Sequence, residues 1–248
     1  MAPKVLLVND DGPPGPDSPY IFGFYKHLIK DLGWDVKVAI PSSQKSWIGK
    51  SYHITEITRG RYFYPREPGK EDRYEWILLD GTPASCTNIS LHNLYPGQID
   101  LVISGPNFGR NTSAAFSLSS GTVGGAMSGA LSRTRAIAIS YGNVHHFTPT
   151  EWIEPAHLLA TRIIKHLWEN WGRDTQNGKV DLYTVNIPMI PQLATPDGLQ
   201  TCWAYMWRNS YGQLFKALDE ESQGMTGVLS FGWGPDIRPL FFFFFFIA

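Results

Sequence analysis

Residues 5 to 8, VLLV, are apolar at every position and end abruptly in Asn9-Asp10-Asp11-Gly12. An unbroken apolar run has no water-facing side, so it reads as a strand buried on both faces, the kind found in parallel sheets. Ser18-Pro19 then offers an N-cap and a proline for a first helical turn. Ile21, Phe24, Tyr25, Leu28 and Leu32 follow at helical spacing, and Gly33 closes the segment. Residues 36 to 40, VKVAI, form the next strand. A strand-helix-strand unit needs helical cover on the sheet, which confines the chain to an α/β architecture.

The alternation continues along the chain. Residues 52–64 and 74–79 read as a hairpin around a polar loop, and Thr82-Pro83 opens a helix running to about Leu94. IDLVIS at 99–104 is a third buried strand, and GPNFGRNTSAAFSLSSG is a long loop. TVGGAMSGALS is a helix of small residues, followed by the strand AIAIS at 136–140. Thr150 caps a longer helix whose apolar face carries Ala156, Ala160, Ile163, Ile164, Leu167 and Trp171. Further strands are expected near 180–187, 199–206 and 228–233. The sum is an α/β domain with a mostly parallel sheet. Beyond about residue 188 the alternation fades into a β-rich extension, and neither an internal repeat nor a linker divides the chain.

Composition narrows the function. Hydrophobic residues make up 43% of the 248, enough for a sizeable core, and the net charge of -1 argues against a nucleic-acid binder. Cys86 and Cys202 form neither a disulfide framework nor a metal cluster, and point to a reducing, cytoplasmic setting. The apolar run at the N-terminus is too short for a signal peptide. The ending PLFFFFFFIA is too short to span a bilayer, which takes about 20 residues, and has no periodicity. No membrane partner is expected. The phenylalanine run at 241–248 reads as an aberrant tail, the product of a gene-model or splicing error.

Ligands of open α/β sheets bind at the carboxyl ends of the strands. Three polar clusters fall there: Asn9 to Gly12, Ser42 to Ser46, and Ser104 to Asn111. Adjacent carboxylates are tolerable beside a cation, and an all-oxygen ligand set selects Mg²⁺, Mn²⁺ or Ca²⁺ over zinc. The competing reading of Asp10 or Asp11 is a cap for the following turn. Ser119-Ser120-Gly121-Thr122 leads into the small-residue helix, whose N-terminus is an anion site in one reading and an ordinary capped, tightly packed helix in the other. None of the seven histidines has metal-ligand spacing. His145-His146 is the pair nearest a strand end, and is read as surface loop; His157 and His166 are read as ordinary helical residues.

In their order, VNDDG, P(x)₄S, DGTPASC, DLVISGPNFGRN, SSGTVGGAMSGA and AIAIS resemble the SurE family of metal-dependent nucleotidases and phosphatases. The resemblance covers roughly residues 4 to 142, and the Trp-rich CWAYMWRNSYG looks most like the fungal branch. It implies a Rossmann-like, three-layer fold, one domain over residues 1–240, and a homodimer or tetramer. It also implies one divalent cation (Mg²⁺ or Mn²⁺) and hydrolysis of nucleoside 5′- or 3′-monophosphates in the manner of a nucleotidase or acid phosphatase. By position the metal ligands are Asp10, Asp11, Ser46 and Asn107. Asp10, Asp11 and Asn111 are the catalytic set. Asn9, Asn111, Ser120, Gly121 and Thr122 are the substrate-binding set, with Asn9 also beside the metal pair as an orienting partner. Gly81-Thr82-Pro83 matches a signature turn, read first as packing. Two departures stand out: Trp47 follows Ser46 where the family has glycine, and Pro106 stiffens the turn before Asn107. The extension looks truncated or altered, and the alternative function is a nucleotide- or metal-binding module impaired by that C-terminus.

The mechanism expected is attack by a metal-activated water, with Asn111 and the 120–122 loop holding the phosphate oxygens. The nearest enzymatic rival, an aspartyl-phosphate phosphatase of the haloacid dehalogenase type, needs an acid two residues after its nucleophile. Gly12 and Pro13 occupy those positions here.

Overall fold

Each apolar run noted above becomes a strand of one sheet. The computed structural model describes residues 2–66, 74–143, 148–176, 178–218 and 230–235. The His145-His146 pair and the phenylalanine run lie outside them. The strands are β1 (Lys4–Val8), β2 (Asp35–Pro41), β3 (Gly60–Phe63), β4 (Trp76–Leu79), β5 (Leu101–Phe108), β6 (Arg135–Asn143), and the short pair β7 (Arg173–Asp174) and β8 (Gly178–Lys179). β9 (Leu182–Met189), β10 (Phe215–Ala217) and β11 (Phe231–Trp233) follow. The helices are α1 (Ile21–Lys30), α2 (Pro83–Ile89), α3 (Ala114–Ser119), α4 (Gly121–Leu131) and α5 (Ile153–Glu169). The main sheet has the order β3-β4-β2-β1-β5-β6-β9. All its pairings are parallel except β3 with β4. β7–β8 and β10–β11 are separate antiparallel pairs.

Strand alternation sends successive side chains to opposite faces. Val5 and Leu7 of β1 join Phe24 and Leu28 of α1 and Ile164 of α5 on one side. Leu6 and Val8 join Cys86 of α2 and Val123 and Ala126 of α4 on the other. β1 is therefore buried on both faces, as its sequence requires. α4 lies unusually close to the sheet: a Cβ added to Gly129 would stand 2.8 Å from Val102 Cγ2, and one on Gly125 2.8 Å from Ser104 Oγ. The small residues of TVGGAMSGALS serve that approach. The chain moves from β1 to β2 and β4 on one side, then returns to β5 on the other, which places the switch of strand order between β1 and β5.

Several local expectations are corrected. Ser18 does not cap α1, which starts at Ile21 without a side-chain cap, because its hydroxyl is engaged by the loop after β1. The helix at Thr82 is capped by that residue as expected, but becomes a π-helix over Ser90–Leu94. The long loop after Ser104 is shorter than expected: β5 runs on to Phe108 and α3 occupies part of the rest. Thr150 opens a 3-10 turn, Thr150–Trp152, and α5 follows from Ile153. Residues 199–206 form no strand. Their aromatic residues look strand-like, but among the described residues no strand pairs with the segment, and Tyr205 is 97% accessible.

His157 is a core histidine. Only 2% of it is exposed, and its Nδ1 lies 2.9 Å from the Tyr141 hydroxyl. Burial pushes its pKa down to about 3, with the nearby His27 and Lys26 adding to the shift. An unfolded histidine titrates near 6.5. The unfolded state thus binds the proton first, so the stability due to neutral His157 is complete above about pH 6.5 and is lost as pH falls toward 3. Thermal melts of His157→Gln should show a flatter acid limb than wild type, by up to about 1.4 kcal/mol per pH unit within that window. Superimposable acid limbs would rule out this contribution.

Candidate functional site

The loop after β1 is held by its own asparagine. Asn9 Nδ2 donates to the Gly12 carbonyl at 2.7 Å and to Ser18 Oγ at 3.1 Å, while Gly12 N–H donates to Asn9 Oδ1 at 3.2 Å. Gly12 has φ +83°, and a Cβ there would meet the Ser43 carbonyl carbon at 3.1 Å, so the turn needs glycine. Asn9 spends its amide protons inside the loop.

That loop presents two buried carboxylates, Asp10 and Asp11, 2% and 4% exposed. Among the described residues no cation pairs with either. Asp10 lies over the N-terminus of α4. Thr122 Oγ1 donates to Asp10 Oδ1 at 2.5 Å, and the N–H groups of Gly121 and Thr122 also favour the carboxylate. Burial outweighs these donors and pushes the Asp10 pKa up to about 6. Asp11 Oδ2 accepts the Phe108 N–H at 2.7 Å. Burial, then the charge of Asp10, raises the Asp11 pKa despite that bond.

Gly121 is glycine because Asp10 sits against it: an added Cβ would be 2.7 Å from Asp10 Cβ and 3.0 Å from Ile48 Cγ2. Ser120 caps α4, its Oγ accepting the Val123 N–H at 3.1 Å. The two readings of this helix start therefore meet. It is capped and closely packed, and the anion at its N-terminus is the protein's own Asp10.

Ser46 reaches the same place on a tight turn. Lys45 N–H donates to the Asp10 carbonyl at 2.7 Å, and Ile48 N–H donates to the Lys45 carbonyl at 3.3 Å. Gly49 then docks on α4, where a Cβ on Gly124 would stand 2.4 Å from the Gly49 carbonyl oxygen. Trp47 has φ +64°, the left-handed conformation that suits the glycine of the family pattern. For tryptophan that conformation costs about 1–2 kcal/mol. Its ring packs with Phe116, Tyr211 and Trp233 at centroid distances of 5.9, 5.5 and 5.2 Å, contacts that offset the cost.

Asn107 is presented by a bulge. The β5–β6 register shifts between Ser104 and Asn107, and such irregularities re-aim side chains. Asn107 Nδ2 donates to the Gly109 carbonyl at 2.9 Å, so its amide orientation is set by its own strand end. Asn111 is fixed from both sides. Its Nδ2 donates to Ser140 Oγ at 2.9 Å, its N–H to Asn186 Oδ1 at 2.8 Å, and its carbonyl accepts from Ser117 Oγ at 2.9 Å. Gly81-Thr82-Pro83 serves packing first, as read: Thr82 Oγ1 accepts the Ser85 N–H and donates to the Ser51 carbonyl.

Asp10 and Asp11 thus meet the turn carrying Ser46, the Asn107 strand end and the 120–122 helix start through direct contacts of their segments. Sequence reading missed the Phe108 N–H, the Ser140 and Asn186 partners of Asn111, and the glycine contact of loop and helix. Phe108 acts through its backbone, which no residue-type pattern reveals. Among the described residues no three His, Cys, Asp or Glu gather into a metal cluster, and no helix is long and apolar enough to cross a membrane.

Comparison with known proteins places this arrangement. The chain is 35% identical over 276 residues to "Probable tubulin--tyrosine ligase PBY1" of Saccharomyces cerevisiae, covering 94% of this chain and 36% of that protein. It is 36% identical over 166 residues to "5'-nucleotidase SurE" of Solidesulfovibrio magneticus, covering 67% of this chain and 60% of that protein. It therefore spans less than two thirds of either relative. Yeast and bacterial proteins match at similar identity, which does not single out a fungal branch. The crystal structure of SurE from Aquifex aeolicus superposes with a TM-score of 0.64 at 25% identity, covering 94% of this chain and 82% of that one. The sequence profile described as "Survival protein SurE" matches residues 5–213, from β1 past the exposed aromatic segment, and the chain belongs to the SurE family.

Proposed function

We propose that this chain hydrolyses phosphate monoesters, nucleoside 5′- or 3′-monophosphates foremost, with a divalent cation held by Asp10, Asp11, Ser46 and Asn107. The observation that carries the reading is the pair of adjacent, buried carboxylates at the strand-order switch, with no protein cation beside them among the described residues. Buried charges without a partner are costly, and a hard cation is the partner that an all-oxygen set of two carboxylates, a hydroxyl and an amide oxygen fits. When bound, such an ion supplies Lewis acidity toward a phosphate oxygen and an acidified water. Asp10 is positioned by Thr122 and the α4 N-terminus, and Asp11 by the Phe108 N–H. One of the two carboxylates also takes the proton of the attacking water in this reading. In this reading Asn111 and the 120–122 segment hold the phosphate oxygens of the ester while charge shifts to the leaving oxygen.

The nucleotidase name of the bacterial relatives supports this substrate class. The ligase name belongs to a yeast protein of which this chain spans 36%, and does not enter the reading. A single domain over 1–240, a cytoplasmic setting, a homo-oligomer and a fungal-branch placement complete the proposal. Phosphate release from a panel of nucleoside 5′- and 3′-monophosphates, with Mn²⁺, Mg²⁺ or EDTA, tests it. Release that EDTA abolishes is the expected result. A folded protein that binds nucleotide and metal but releases no phosphate would replace the enzyme with a binding module.

A further inference from the structure

Trp47 stands next to Ser46 on a turn whose backbone touches Asp10. It holds a backbone conformation that glycine would adopt freely, so something other than the turn accounts for an indole there. The ring is part of a cluster with Phe116, Tyr211 and Trp233. The cluster is open: Tyr211 is 41% and Trp233 50% exposed. The Arg110 guanidinium lies 5.8 Å from the Phe116 ring, adding a flat cation to the same surface. Trp47 and Phe116 are half-buried, and the cluster opens to solvent through Tyr211 and Trp233, with Trp47 one residue away from a proposed metal ligand.

We infer that Trp47, supported by Phe116, Tyr211 and Trp233, is a platform on which the aromatic base of the substrate stacks, and so sets preference for nucleotides over other phosphate monoesters. The inference rests on the proposed phosphatase function and deepens it. In the proposed function the phosphate sits at the Asp10-Asp11 loop, and the Ser46-Trp47 turn adjoins that loop through the Lys45 N–H on the Asp10 carbonyl. A heterocyclic base offers a π face to the indole; a sugar or glycerol group has none.

Calorimetric titration with AMP and with ribose 5-phosphate, each in the presence of Mn²⁺, separates the base from the phosphate. Wild type should bind AMP about ten-fold more tightly than ribose 5-phosphate, a factor within the range of one stacked base. Trp47→Gly suits the turn, and should lose that preference while its ribose 5-phosphate affinity stays within about two-fold. Trp47→Phe should keep most of it. Equal wild-type affinities, or a Trp47→Gly variant that retains the preference or weakens both ligands alike, would overturn the inference and leave the phosphatase reading standing. Failure of wild type to bind either ligand would overturn both.

Discussion

Asp11→Asn is expected to lower phosphate release by about a thousand-fold or more while making the metal-free protein harder to unfold. Both effects come from one feature. The carboxylate is buried beside Asp10, and among the described residues no positive side chain offsets either charge. Removing one charge takes away a repulsion that burial intensifies. Asparagine keeps an oxygen to accept the Phe108 N–H, so the strand-end contact survives. A gain of about 2 kcal/mol, roughly 4–8 °C in melting temperature, is the scale expected for a domain of this size. Added Mn²⁺ should raise the melting temperature of wild type and leave the variant nearly unmoved. A variant that is less stable than wild type, or that still releases phosphate at the wild-type rate, would contradict the role given to the pair. Functional sites commonly hold such locally unfavourable arrangements, and stability gained by relieving them is lost in activity.

Gly105→Ala should be the most damaging change to the fold itself. Gly105 has φ +122°, and a Cβ there would stand 2.1 Å from the Ile139 carbonyl oxygen and 2.9 Å from Ile139 Cγ2. The colliding atom is backbone in the neighbouring strand, which cannot swing aside as a flexible side chain would. The β5–β6 ladder must part at the bulge that presents Asn107. A loss of about 4 kcal/mol is expected, with the melting temperature falling by roughly 10 °C. Gly97→Ala provides the comparison. Gly97 also has positive φ, at +68°, but a Cβ there meets nothing within 4 Å. It should cost only about 1 kcal/mol, the price of the conformation alone. Equal losses in the two variants would show that the clash contributes nothing.

Strand positions and the two-sided burial of β1 were legible because a 5-residue strand buried on both faces admits little but apolar residues. The short distance between Asp10 and the α4 start was not, although every residue involved had been noted. Taken alone, Ser120, Gly121 and Thr122 read more readily as a cap than as a phosphate cradle. Ser120 proves to be the cap, while Gly121 and Thr122 hold Asp10, which lies 112 positions before Thr122 in the chain. Ser18 shows the same limit. Its type and place suit a helix cap, but Asn9 and Gly12 claim its hydroxyl first. The expected strand at residues 199–206 does not form because composition records a taste for pairing, not the presence of a partner strand.

Local chemistry determined what is periodic or confined to neighbours. The apolar runs give the strands, the helical spacing gives the amphipathic helices, and the order of short motifs gives the family. Tertiary structure decided which distant segments share a hydrogen bond. It joined Asp11 to Phe108, Asp10 to Thr122, and Asn111 to Ser140 and Asn186. It also brought the C-terminal rings of Tyr211 and Trp233 onto Trp47. Those pairings depend on strand order, and strand order follows from how the whole apolar surface is covered, a quantity no short stretch of sequence contains.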